Sequence, residues 1–406
     1  MKRTVHCIAA VFAAVCAMIF GQCIRISRIL PNEITAYYNE NISFRNFTTI
    51  GVNNQFQNIK DLKKAASVSA GDTSYECSVS LFNIIPTKTV TVRQTNKKYA
   101  VPCGTLFGIK FYARGAAVIR CCDISLGDTT VNPGKNCGLI PGDAIVAIDG
   151  CEIESYRDVE RLTMQSGGDK LHLTCLRGEK QFETDIVPAA ADGGYRLGLW
   201  IKDSAAGLGT MTFYDPETGA FASLGHGICD DETSELLAIE KAEITRVEIA
   251  GITKSSSGNP GSINGYFDDD PPIGTATVNN GCGLFGSLQY IPTSQQPVEI
   301  ANIQDIYKGK AQILCTLDNG APKLYDIEIT GIDYDEKNKT KNLQILATDE
   351  RLLSRTGGIV QGMSGSPILQ NGKLVGAVTH VLLTNSAKGY GIFAQNMFDE
   401  MEKAQN

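Results

Sequence analysis

Gly362-Met363-Ser364-Gly365-Ser366-Pro367 sets a serine between glycines, closes the turn with proline, and is followed by strand-like runs at Ile368-Leu369 and Leu374-Val375. A serine hydroxyl is a poor nucleophile until a base removes its proton, and the oxyanion formed by its attack needs N–H donors already in place. Glycine lets backbone amides turn inward with no Cβ in the way. The hexapeptide therefore offers Ser364 as nucleophile and the amides of Gly362 and Ser364 as an oxyanion hole. The same residues also make an ordinary turn between two strands, so the partners must decide. Ser366 is a rival hydroxyl, but proline follows it directly.

The default base is histidine, whose ordinary pKa lies near neutrality, and the chain has four. His6 lies in an apolar N-terminal run and His172 alternates with Leu171 and Leu173 in a strand-like segment. His226 stands between two glycines in Leu224-Gly225-His226-Gly227-Ile228, after the strand-like Ala220-Leu224, with room to approach another backbone. His380 ends the run Leu374-Val378 and either lines a pocket for the substrate side chain or caps a strand. An acid must hold the tautomer of the base, and Asp349 closes the alternating run Leu343 to Ala347. His226, Asp349 and Ser364 then follow the chymotrypsin order, although geometry rather than order defines a triad. Asp230 and Asp231 are rival acids, so near His226 that they read better as caps of the segment that follows. No Cys-x-x-Cys pair occurs, and nothing near His226 and Cys229 completes a zinc ligand set. The chemistry read here needs no cofactor.

Short runs punctuated by Gly and Pro cover residues 192–402: Thr210-Phe213, Ala220-Leu224, Val247-Ile249, Gly274-Val278, Ala311-Leu317 and Tyr325-Ile332. This is the pattern of an antiparallel barrel or sandwich, with a helix predicted over Asn396-Glu402.

The chain resembles the sporulation factor IV B peptidases, serine proteases of endospore-forming bacteria. The resemblance is carried by Leu197-Gly198-Leu199-Trp200-Ile201-Lys202-Asp203 with Gly207-Leu208-Gly209-Thr210-Met211-Thr212-Phe213, by Leu224-Gly225-His226-Gly227-Ile228, by Lys254-Gly261, and by Gly358-Ile368 running on to Gly376-Val381. It implies a mainly β protein with a few helices, in which a PDZ domain precedes a chymotrypsin-like double β-barrel. It implies His226 as general base, Asp349 as orienting acid and Ser364 as nucleophile. It also implies self-cleavage near the N-terminus and cleavage of a membrane-bound regulator. By the same resemblance, that cut would take place in the intermembrane space of the developing forespore and would release an intramembrane protease that activates a late mother-cell sigma factor. A broad-specificity exported quality-control protease and an inactive PDZ adaptor are the other readings.

The PDZ expectation covers residues 99–188. Asn136-Cys137-Gly138-Leu139-Ile140-Pro141-Gly142-Asp143 leads into the alternating Ala144-Gly150, a helix is predicted over Tyr156-Gln165 and a strand over Lys170-Arg177. Domains of this type bind a peptide as an added strand while loop amides hold its carboxylate. Leu106-Phe107-Gly108-Ile109 is the expected carboxylate-binding loop. Protein or peptide substrates, including the enzyme itself, are the expected partners.

Met1-Lys2-Arg3 and the apolar Val5-Phe20 read as a signal peptide or signal anchor over residues 1–24. Residues 25–76 are polar and Asn-rich, and read as a tether with little structure, followed by a small β segment over 77–98. A formal net charge of −7 with mixed signs and no basic stripe excludes a nucleic-acid partner. Thirteen cysteines in an exported chain would suggest disulfides, but without paired spacing most read as small buried hydrophobes.

Overall fold

The computed structural model describes residues 2–37, 50–52, 73–81, 84–178, 180–191, 193–229, 236–237, 239–256, 258–268, 270–292 and 295–405. The chain opens with the helix Lys2–Ile29, and no described helix is long and apolar enough to cross a membrane. Glu33–Tyr37 pairs in parallel with Ile85–Thr95, next to Thr73–Leu81 and Ile50–Val52. Part of the expected tether is therefore a strand, because Ile34 and Ala36 bury in one cluster with Val79, Val90 and Val92. The rest of the tether, 38–49 and 53–72, lies outside the described residues.

The main body consists of strands β1 (Leu106–Cys121) and β2 (Asp143–Ile148), helix α1 (Tyr156–Gln165), then β3 (Leu171–Arg177), β4 (Lys180–Ile186), β5 (Leu199–Tyr214), β6 (Ala220–Ser223), β7 (Ile239–Thr245), β8 (Gly274–Asn280) and β9 (Gly283–Leu288). Strands β10 (Gly309–Cys315), β11 (Lys323–Ile332) and β12 (Leu343–Ala347), helix α2 (Glu350–Thr356), strands β13 (Pro367–Gln370), β14 (Lys373–Leu382) and β15 (Asn385–Phe393), and helix α3 (Ala394–Gln405) follow.

Two antiparallel barrels close. The first runs β1-β7-β8-β9-β6-β5 and back to β1; the second runs β10-β11-β12-β15-β14-β13. Closure removes the sheet edges that short strands would otherwise expose. β11 shows why a barrel forms: its burial alternates strictly, with Tyr325, Ile327 and Ile329 inward and Asp326, Glu328 and Thr330 outward. On α3, Met397, Phe398 and Met401 bury one apolar face against residues of both barrels, among them Phe213, Phe285 and Ile392.

The PDZ unit is threaded through the first barrel. The outer halves of β1 and β5 pair with each other, Leu199 to Cys121 and Lys202 to Ala117, and β1 goes on to β2, β3 and β4. Their inner halves pair again within the barrel, Gly207 to Ile109 and Thr210 to Leu106. Phe107, Ile109 and Phe111 thus fill the barrel core, while Ala116 and Val118 on the same strand fill the PDZ core with Ile145, Ile148 and Leu173. The expected boundary near 188–192 therefore does not separate the two cores. The Gly-Asp of the PDZ motif has a local reason. Asp143, fully buried, accepts from Arg177 at 2.7 and 2.8 Å and from the Ile140 amide at 2.9 Å, which locks the turn onto β3. At α1, the Asp158 carboxylate accepts the Ser155 amide at 3.1 Å and closes the N-terminus.

Candidate active site

Ser364 and His226 line one cleft of about 990 Å³ between the barrels. Each reaches it through a strained turn. After β6, Leu224 and Gly225 both take left-handed backbone, at φ 67° and 72°; for leucine that conformation is costly and depends on the packing around it. A Cβ on Gly225 would lie 2.9 Å from side-chain carbons of Ile392 and Thr379, so the turn presses on the second barrel. The serine turn uses Gly365 at φ +94°, where a Cβ would fall 2.0 Å from the Thr210 carbonyl oxygen and 2.6 Å from the Leu224 nitrogen. That missing Cβ lets the serine turn lie against the histidine turn.

Thr210 fixes the serine turn at two points. Its hydroxyl donates to the Gly362 carbonyl at 2.7 Å and its amide donates to the Ser364 carbonyl at 2.9 Å. The Gly365 amide donates to Val378 and the Val378 amide to Ser366, tying the turn to β14. Among the described residues, the amides of Gly362 and Ser364 make no backbone hydrogen bond. The Ser364 hydroxyl donates to the Thr379 carbonyl at 2.9 Å. Ser366 is fully buried and its hydroxyl has no partner among the described residues, so it is shut off from the cleft.

His226 Nδ1 lies 2.8 Å from the Gly227 carbonyl. A carbonyl only accepts, so Nδ1 carries the proton and Nε2 is the free basic nitrogen. Asn279 pins the loop after the histidine: its Oδ1 accepts the Ile228 amide at 2.9 Å, and its Nδ2 donates to the carbonyls of Ile228 and Leu237 at 2.9 and 2.8 Å. Burial lowers the pKa of His226 and keeps it neutral, opposed by its bond to Gly227. His380 stands across from it, with ring centroids 5.0 Å apart and planes at 39°. Burial first, then His226 and Lys341, lower the pKa of His380 to about 4.

Asp349 is elsewhere. It caps α2, accepting the amides of Arg351 and Leu352 at 2.8 and 3.4 Å, takes the Arg351 guanidinium and the Asp326 amide, and does not line the cleft. The expected orienting acid is thus committed to holding a helix start in the second barrel, and the structure does not bring it to His226. The rivals Asp230 and Asp231 lie outside the described residues. Leu106-Phe107-Gly108-Ile109, expected to grip a peptide carboxylate, instead pair with β5 and β7 inside the first barrel, with Phe107 and Ile109 buried. Next to α1 in the PDZ unit, the sheet ends instead in the outer half of β5, Leu199 to Lys202. His172 faces Asp185 and Glu183 on an exposed sheet, away from the cleft.

Residues 193–398 match the SpoIVB peptidase S55 family, and residues 130–177 match the PDZ domain. The chain belongs to the SpoIVB peptidase S55 family. A PDZ domain accompanies the region that matches the peptidase family. Other matches are shorter. A Brucella suis protein provisionally named a zinc metalloprotease is 28% identical over 136 residues, covering 32% of this chain and 35% of its own. One from Mesorhizobium japonicum, with the same provisional name, is 30% identical over 80 residues, covering 20% of this chain and 22% of its own. The chain thus spans about a third or less of the length of these relatives. Among the described residues, no group of three or more His, Cys, Asp or Glu side chains is placed to hold a metal ion. An inactive Ser-to-Ala mutant of a Mycobacterium tuberculosis protein aligns at a TM-score of 0.27 and 10% identity, covering 49% of this chain and 84% of that one.

Thr210, Thr379 and Asn279 were not singled out from the sequence. Thr210 sits inside one of the family-like runs, which was its only signal. Asn279 acts through a long-range loop contact that no local pattern announces.

Proposed function

We propose that the chain is a serine endopeptidase in which Ser364 attacks the peptide carbonyl and His226 receives its proton at Nε2. The observation that carries this reading is the shared cleft, with Ser364 on a glycine turn and a neutral, buried His226 whose Nδ1 is already committed. The hydroxyl rests on Thr379, so attack requires it to rotate from that carbonyl toward Nε2; unliganded sites often hold such bonds slack. The free amides of Gly362 and Ser364 would then receive the oxyanion, with Thr210 keeping their turn from relaxing. On collapse of the intermediate His226 returns the proton to the leaving amine, and water repeats the cycle on the acyl-enzyme.

The cleft walls are apolar, with Ile109, Leu208, Ile263, Val360 and Val381 among them, and extend to Ala117, Ile119 and Lys202 where the PDZ sheet begins. An extended apolar segment fits such walls. The family supports a sporulation role: self-cleavage near the N-terminus, then cleavage of a membrane-bound regulator that frees an intramembrane protease, at the forespore intermembrane space. The N-terminal helix would carry the chain there.

The test is labelling of the full chain and its Ser364→Ala form with a fluorophosphonate, with intact mass followed over time. Labelling and fragmentation confined to the unaltered chain support the proposal. Equal behaviour of two folded forms would leave the adaptor reading.

A further inference from the structure

The base in this cleft lacks a described carboxylate partner. No aspartate or glutamate is among the described residues of the cleft wall, and Asp349 is spent on Arg351. What faces the His226 ring is His380, and the Nδ1 of His380 is buried without a hydrogen-bond partner among the described residues. A buried unpaired polar atom is costly, and where one persists it calls for a reason.

From this geometry we infer that His380 is a positioning residue for His226: its ring fixes the plane of the base, and its unprotonated nitrogen stabilises the imidazolium formed when Ser364 gives up its proton. The inference rests on the proposed serine mechanism. A neutral imidazole has one acceptor nitrogen, and in a dry cleft such a dipole acts at much lower dielectric than in water. The proton count is unchanged: the Ser364 proton moves to His226 Nε2, the other proton stays on His226 Nδ1, donated to the Gly227 carbonyl, and His380 takes none. Its own protonation would place a second cation beside the base. Burial opposes that, and so do the neighbouring His226 imidazole and Lys341. The sequence leaves His380 as a pocket wall or a strand cap; the ring pair gives it a task toward the base instead.

The experiment compares the second-order rate of Ser364 fluorophosphonylation from pH 5 to 9 in the full chain and its His380→Ala, His380→Gln and His380→Phe forms, with melting curves for each. His380→Ala should lose about 10²-fold, with the acid limb of the profile moving up toward the ordinary histidine value as water enters. His380→Gln, which restores a polar acceptor, should recover much of the rate, and His380→Phe, which restores only the ring, should not. If His380→Phe matches the unaltered chain, the residue only fills space and the inference fails. It fails equally if Asp230→Asn/Asp231→Asn loses the rate while the His380 forms keep it. Should the unaltered chain not label at Ser364, or label equally well as His226→Ala, the serine mechanism itself falls. If His380→Ala does not fold, the Gln and Phe forms decide alone.

Discussion

Asp349 and Arg351 form a two-pronged pair, Oδ2 to Nη2 at 2.7 Å and Oδ1 to Nε at 3.0 Å, at the start of α2. The guanidinium first, then the Asp326, Arg351 and Leu352 amides, hold the carboxyl well below the usual carboxylate range, against a smaller upward push from burial. Every strong acceptor direction of Asp349 is therefore taken by its own neighbourhood.

That commitment separates two roles by one substitution. Asparagine also caps helices well, so Asp349→Asn should keep α2 and lower melting only modestly, while Ser364 labelling stays within a few-fold. Loss of the orienting acid from a working triad costs about 10⁴ in rate. A fall of that size in a folded Asp349→Asn protein would return the residue to the catalytic group. Asp349→Ala should cost about 1 kcal/mol of stability through the cap alone, read by denaturant titration.

Thr210 joins the two turns more directly than any catalytic group does. Thr210→Val keeps the shape and the amide bond to Ser364 but removes the hydroxyl bond to Gly362. The stability cost should be about 1 kcal/mol, whereas Ser364 labelling should fall at least tenfold because the oxyanion amides lose their fixed turn. Gly365→Ala should be far worse, since its Cβ would meet backbone atoms at 2.0 and 2.6 Å in a left-handed conformation. Circular dichroism and labelling, measured together, tell loosening of the turn from loss of the fold. Equal loss of rate and stability in Thr210→Val would make Thr210 a packing residue only.

The glycines and the alternating strands made the barrels, the serine turn and His226 legible, because each depends on local chemistry: a turn needs Gly365, and a half-buried strand needs the period seen in β11. The threading of the PDZ unit was not legible. Leu106-Phe107-Gly108-Ile109 has the composition of a loop entering a strand, and only the pairing of β1 with β5 and β7 shows that it closes a barrel. Asp349 failed for a similar reason. An acid after an alternating strand can serve a distant histidine or cap the next helix, and Arg351 two residues on was the sign of the cap. The expectation that most cysteines are buried hydrophobes is not met among the described residues: Cys77, Cys103, Cys175, Cys282 and Cys315 are buried, Cys23, Cys121, Cys122 and Cys137 are half-buried, and Cys16, Cys151 and Cys229 are exposed.

Since β1 supplies Phe107, Ile109 and Phe111 to the first core, a fragment beginning at residue 192 lacks a barrel strand although it holds Ser364 and His226. It should aggregate or stay unfolded, whereas a fragment beginning at residue 99 should melt cooperatively. Removing three buried aromatic or aliphatic side chains at about 3 kcal/mol each exceeds the margin of an ordinary domain. A folded, fluorophosphonate-reactive 192–406 fragment would show that the barrel closes without β1.

Burial of the two site histidines sets the acid side of stability. The pKa of His380 falls from its ordinary 6.5 to about 4 in the folded chain, and that of His226 falls in the same direction. Above pH 6.5 neither state binds the extra proton at these sites. As the pH drops through that value the unfolded chain takes it up and the folded chain does not, so stability is lost progressively down to about pH 4. His172 works the other way, because Asp185 raises its pKa, so one melting curve mixes the two signs. The difference between the unaltered chain and His380→Gln cancels His172. Its advantage for the variant should grow as pH falls from 6.5 to 5, before most carboxylates protonate, by about 2–4 °C for each kcal/mol. A pH-independent difference would mean that His380 is not held neutral by the fold.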